Sequence, residues 1–238
     1  MKRDEVIEQI FQGSAIAAIH LTAADLRQVA TFVICLVIAI SFHEFAHAFA
    51  ATRLGDPTPK QENRLTLNPL SHADPIGTLV LPVLAGLFHA PLLGWGRPVP
   101  TQPRYYTRKI TMRAGLALVA LAGPFANFLQ ALVALLLWKG LHVAGLVNPG
   151  DGLWDIFAVF YQLNIVLMAF NLLPLHPLDG GKILAWLLPT RLQHVDDFLL
   201  RYGGFILLIL VFAVPGVLTT LLSPVFLVAR WGMLLLGL

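Results

Sequence analysis

The sequence predicts an all-α polytopic membrane protein with about four transmembrane helices, a re-entrant element and interfacial helices. Three observations predict it. Of 238 residues, 57% are hydrophobic and 12% charged, against roughly a quarter charged in a soluble domain. Mean hydropathy is +0.75. The apolar residues gather in runs of about the 20 that a bilayer requires, parted by polar stretches rich in Pro and Gly. These runs leave little room for a separate soluble domain. Residues 1–238 are therefore read as one unit: an interfacial segment (1–28), a core (29–181) and a C-terminal membrane segment (182–238). The net charge of +3 fits cationic cytoplasmic loops and not a nucleic-acid partner.

The elements follow in order. Residues 4–27 mix charge with Val6, Ile7, Ile10, Phe11, Ile16, Ile19 and Leu21. That pattern suits an amphipathic helix on the bilayer surface, with no cleavable leader expected. Residues 29–51 form the first span, which holds the single cysteine, Cys35. Residues 52–75 are polar and turn-rich, with a short strand expected at Leu65-Thr66-Leu67. Residues 76–96 are apolar but broken by Gly77, Pro82, Gly86, Pro91, Gly94 and Gly96, and a basic interfacial loop over 97–113 follows. Further spans are expected at 114–138, at 153–173 and at 203–222, the last kinked at Pro215. Trp95, Trp138 and Trp231 near span ends fit an interfacial belt.

The chemistry concentrates in the first span, at His43-Glu44-Phe45-Ala46-His47. Positions four apart share a helix face, so both imidazoles can point at one ion. Neutral imidazole suits zinc, and Glu44 is placed to act on a metal-bound water. An ionisable cluster in an apolar helix marks function by default. A catalytic zinc takes three protein ligands and keeps one position open. Asp179 is the best third candidate. It follows an apolar span among prolines and glycines, and broken backbone at membrane depth is tolerated around a cavity. Read alone, Asp179 also suits a helix N-cap, and Asn127 an interhelical hydrogen bond. His176, three residues before Asp179, is a candidate partner behind the ligands. The other histidines read as interfacial or hydrogen-bonded residues.

Three motifs occur in order: His43–His47, Gly123-Pro124-Phe125-Ala126-Asn127, and Asn171-Leu172-Leu173-Pro174 through Pro177-Leu178-Asp179-Gly180-Gly181. Together they resemble the site-2 protease family of intramembrane zinc metalloproteases. Arg64-Leu65-Thr66-Leu67-Asn68-Pro69 is similar to the short bacterial branch, and the chain has no room for the PDZ or CBS domains of some relatives. The resemblance implies one Zn2+ per chain, bound by His43, His47 and Asp179, with Glu44 as general base. It implies that Asn127, Asn171 and Pro174 line the substrate site. The implied partners are a membrane-protein substrate, of single-span type, and the lipid bilayer.

The ligands also bear on topology. If 76–96 crossed the bilayer, His47 and Asp179 would lie near opposite faces. If it dips in and returns, they lie near one face and the site closes. Loop charge does not discriminate, because the 16 cationic residues split eleven to five either way. Ligand convergence favours the re-entrant form, and the positive-inside rule then turns the site toward the cytoplasm of a bacterial cell membrane. A metal-ion transporter, a non-catalytic metal-binding protein or a scaffold for membrane partners is the alternative, and none of these has a use for Glu44.

Overall fold

The computed structural model describes residues 22–87 and 94–238. Most of the surface segment expected over 1–28 lies outside the described residues. Those described form helices α1 (Ala23–Arg53), α2 (Thr58–Gln61), α3 (Pro69–His72), α4 (Leu81–Leu87), α5 (Met112–Val143), α6 (Gly152–Asn171), α7 (Asp179–Leu187), α8 (Gln193–Leu208) and α9 (Pro215–Leu235). Four of them, α1, α5, α6 and α9, are long and apolar enough to cross a membrane.

α1 begins before residue 29 because Thr22 and Asp25 form a capping box. The Asp25 amide donates to Thr22 Oγ1 at 3.1 Å, and the Thr22 amide donates to Asp25 Oδ2 at 2.9 Å. One face of α1 buries Cys35, Leu36, Ala39 and Ile40 against Leu163 of α6, while Ile34, Ile38, Phe42 and Phe49 face outward. Lipid is as apolar as that interface, so close van der Waals approach holds the helices. Small side chains permit the approach: Ala39, Ala48 and Ala51 are fully buried. A second cluster joins α5, α6 and α9 through Leu135, Trp138, Tyr161 and Ala229, and Tyr161 Oη donates to the Ala229 carbonyl at 3.1 Å. Trp138 thus belongs to this cluster, edge-on to Trp154 at 4.8 Å between centroids, and not to an interfacial belt.

The chain leaves at residue 75, and the described residues 94–96 lie back beside that starting point. Asp74 caps a wide π-type turn (Pro75–Val80) by accepting from the Ile76 and Gly77 amides at 3.0 and 2.7 Å. α4 follows and packs on α1, where a Cβ at Gly86 would lie 2.1 Å from Val29 Cγ2. The returning chain pairs antiparallel at Ala73 and Gly96. Trp95 N donates to the Gly77 carbonyl at 3.2 Å, and Thr78 Oγ1 donates to the Trp95 carbonyl at 2.7 Å. A Cβ at Gly77 would stand 2.4 Å from the Trp95 ring, so this close return needs glycine.

Two expected elements differ. Leu65-Thr66-Leu67 is an irregular bend, because the Thr66 carbonyl is taken by His72 Nε2 at 2.7 Å and not by a neighbouring strand. The last span is not a kinked 203–222 helix. α8 runs through a π-type turn (Ile209–Ala213) and stops at Val214, whose φ is −134°. Pro215, which lacks an N–H and cannot extend the preceding ladder, starts α9 instead. The apolar run is nearly continuous there, so hydropathy alone does not locate the break.

Candidate metal centre

Two elements converge on one point. α1 presents His43 and His47 on one face, and α7 presents Asp179 from its first residue. His43 Nε2 lies 3.0 Å from His47 Nε2 and 3.3 Å from Asp179 Oδ2, and His47 Nε2 lies 3.1 Å from Asp179 Oδ2. Ligands at about 2.0–2.1 Å around a tetrahedral zinc stand roughly 3.3 Å apart. All three residues are buried. The spacing and the nitrogen–nitrogen–oxygen donor set fit that ion.

The far side of each imidazole is also held. His43 Nδ1 meets Asn127 Oδ1, and His47 Nδ1 meets the Val119 carbonyl at 2.7 Å. Both partners are acceptors, so both Nδ1 atoms carry the proton and both Nε2 lone pairs face the common point. α5 supplies these partners through a break in its ladder. Pro124 has no N–H for the Ala120 carbonyl, and the neighbouring Val119 carbonyl serves His47. Gly123 leaves the ligands room, since a Cβ there would sit 2.4 Å from His47 Nε2. Asn127 is oriented in turn. Its Nδ2 donates to Asn164 Oδ1 at 2.9 Å, and Asn164 Nδ2 donates to the Phe160 carbonyl at 2.9 Å. Both asparagines are fully buried.

Asp179 is placed by its glycines. A Cβ on Gly180 would lie 2.2 Å from the Leu173 carbonyl oxygen, and one on Gly181 would lie 2.8 Å from His176 N. Both contacts draw the start of α7 onto the loop after α6. At a helix N-terminus the carboxylate also gains from the dipole. Lys182 Nζ holds the other oxygen, Oδ1, at 3.0 Å.

Glu44 sits beside the triad, 9% exposed, in a cleft of about 220 Å³. Ile40, Leu167 and Phe170 line its apolar side, and Asn171 and Lys182 its polar side. The returning strip 94–101 forms one wall, and Val99 N donates to Glu44 Oε2 at 2.9 Å.

The structure therefore brings His43, Glu44, His47, Asp179 and Asn171 together. Asn171 lines the cleft, with its Nδ2 donating to the Leu167 carbonyl at 2.9 Å. Asn127 lies behind the ligands. Pro174 is exposed on the loop, and Pro177 lines the cleft instead. His176 does not back Asp179; its Nε2 pairs with Asp196 Oδ1 of α8 at 3.0 Å. Asn164 and Val99 escape the sequence reading. A lone asparagine in an apolar run carries no periodic signal, and a backbone donor carries none at all.

Comparison with known proteins bears on this arrangement. The sequence model of Peptidase family M50 matches residues 142–211, a stretch that includes Asp179 but not the two histidines. "Putative zinc metalloprotease YwhC" of Bacillus subtilis (strain 168) is 38% identical over 186 residues, 77% of this chain and 80% of that protein. "Putative zinc metalloprotease Rip2" of Mycolicibacterium smegmatis is 30% identical over 220 residues, 89% of this chain and 79% of that protein. No solved structure matches the chain.

Proposed function

Because the chain belongs to peptidase family M50, the site-2 protease family, we propose that it is a zinc-dependent endopeptidase cutting peptide bonds in or near transmembrane segments of other membrane proteins. The observation that carries this reading is Glu44, a carboxylate beside a convergent His43–His47–Asp179 triad in an open cleft. The triad would hold one Zn2+ per chain. When bound, it supplies Lewis acidity to the scissile carbonyl and the attacking water. Glu44 accepts the water's proton and delivers it to the leaving amine. The Asn127–Asn164 pair keeps His43 in the tautomer that offers Nε2. Lys182 keeps Asp179 turned so that Oδ2 faces the histidines.

Ile40, Leu167 and Phe170 suit an apolar substrate segment, and Asn171 offers a polar group to its unwound backbone. A single-span membrane protein matches this lining. The protein is multi-pass, and the excess of cationic loops on the site's side supports a cleft turned toward the cytoplasm of a bacterial cell membrane.

Glu44→Gln tests the reading. The change is nearly isosteric and leaves the three ligands intact, so zinc content by atomic absorption should stay at one per chain. Cleavage of a single-span substrate should fall by about 10²–10⁴-fold, the usual cost of losing general acid–base catalysis. A metal transporter or scaffold loses nothing comparable, because neither moves a proton at this position. Full cleavage with zinc retained overturns the mechanism.

A further inference from the structure

The strip 94–102 walls the cleft without belonging to a sheet, and its composition explains why. Pro98 and Pro100 lack N–H groups, so Val99 supplies the backbone donor between them, and the residue before a proline is driven to extended conformations. Such a strip cannot register itself by a hydrogen-bonded ladder. It must be fixed from outside. Arg64 is the side chain that does so immediately before Val99. It is 5% exposed, and its Nη2 donates to the Arg97 carbonyl at 2.6 Å and the Pro98 carbonyl at 2.8 Å. These two residues immediately precede Val99, whose N–H is the hydrogen bond that the described residues give the Glu44 carboxylate.

The support behind Arg64 is rigid. Its own amide donates to the Pro59 carbonyl at 2.7 Å, closing α2 through Asn63, whose φ of 52° is left-handed. Asp56 caps that same turn through Thr58 N at 2.9 Å, and its other oxygen takes Gln102 N at 2.6 Å. One short turn thus grips the strip on both sides of Val99, at 97–98 and at 102. Charged donors make the stronger hydrogen bonds, and a buried guanidinium is expensive unless its contacts matter.

We propose that Arg64 is a positioning residue for the general base: it fixes the Arg97 and Pro98 carbonyls so that Val99 N–H holds Glu44 in place. The proposal rests on the protease reading of Glu44, and its consequence is kinetic. Displacing a reacting group by about 1 Å can cost on the order of 10²-fold in rate. Arg64 does not itself line the cleft and touches none of the three triad residues, so zinc binding should not depend on it.

The test uses the full chain in nanodiscs, with Arg64→Met, which keeps the apolar stem, and Arg64→Lys, which keeps a cation and donors. Three quantities are read: zinc per chain, amide exchange of peptides covering 94–102 by mass spectrometry, and kcat and KM on a single-span substrate cleaved by the wild type. Arg64→Met should keep zinc, exchange at least about tenfold faster in the strip, and lose about 10²-fold in kcat with a smaller change in KM. Arg64→Lys should fall between. Unchanged strip exchange overturns the proposal, as does faster exchange with wild-type kcat. Loss of zinc in both variants also overturns it, by making Arg64 a residue of the fold. If the wild type cleaves no substrate, the protease reading fails, and strip exchange alone still decides whether Arg64 holds Val99 against Glu44.

Discussion

At the scale of single residues, the ligand pair was legible because helical geometry fixes it. His43 and His47 are one turn apart in any helix, so their spacing carries the geometry with it. Asp179 was legible only through a count of the ligands still needed and the broken backbone around it. Asn127 had two readings from sequence, and the structure gives it the interhelical bond, to Asn164 Oδ1, as well as His43. This relay predicts that Asn164→Leu, which keeps the γ-branched outline and removes the acceptor, frees the Asn127 amide to turn. Zinc affinity measured by competition with a chelating dye should then weaken by roughly 10–100-fold, the usual effect of losing a partner behind a ligand. Unaltered affinity would show that His43 needs no such support.

At the scale of elements, hydropathy located α1, α5 and α6 because each apolar run is bounded by polar residues. It misplaced the last span because the apolar run extends on both sides of Pro215, and only backbone chemistry divides it. The wall of the cleft was not legible: strip 94–102 takes its anchors from distant places, Gly77 and Thr78 of the π-type turn, α3, and the turn at 56–64. α3 itself makes a pH-sensitive joint. His72 is fully buried, its Nε2 donates to the Thr66 carbonyl, its Nδ1 has no partner among the described residues, and its own carbonyl receives Arg97 N at 2.8 Å. Burial, with the Arg64 charge adding to it, holds the imidazole below its ordinary pKa of 6.5, against opposing pulls from the Thr66 carbonyl and Glu44. The unfolded chain therefore binds the proton more readily than the folded one. Stability is complete above pH 6.5 and is lost as pH falls through and below it, by at most about 1.4 kcal/mol per pH unit for one proton. Thermal midpoints between pH 8 and 5 should fall more steeply in the wild type than in His72→Gln, whose amide can still donate to Thr66. Parallel curves would remove His72 as the cause.

At the scale of the whole molecule, residues 94–97 lie beside 72–78, so both ends of the excursion meet. Ala73 pairs with Gly96, and Thr107 N donates to the Leu54 carbonyl at 2.7 Å, so the chain before the excursion and the chain after it lie together. Cysteines introduced at Lys60 and Lys109, in a variant with Cys35 replaced, should thus react alike with an impermeant maleimide in intact cells. One labelled and one protected would require residues 75–96 to cross the bilayer. The separation of the ligands along the chain has a consequence in time. His43 and His47 leave the ribosome in the first span, while Asp179 follows only after two more spans. At about 5–20 residues per second, the interval is on the order of ten seconds. Throughout it the nascent protein offers the His43–His47 pair, with Glu44 beside it, but not the Asp179 carboxylate. On the zinc-protease reading proposed above, the ligand set is complete only once α7 docks, so metallation should follow the synthesis of Asp179, late in biogenesis.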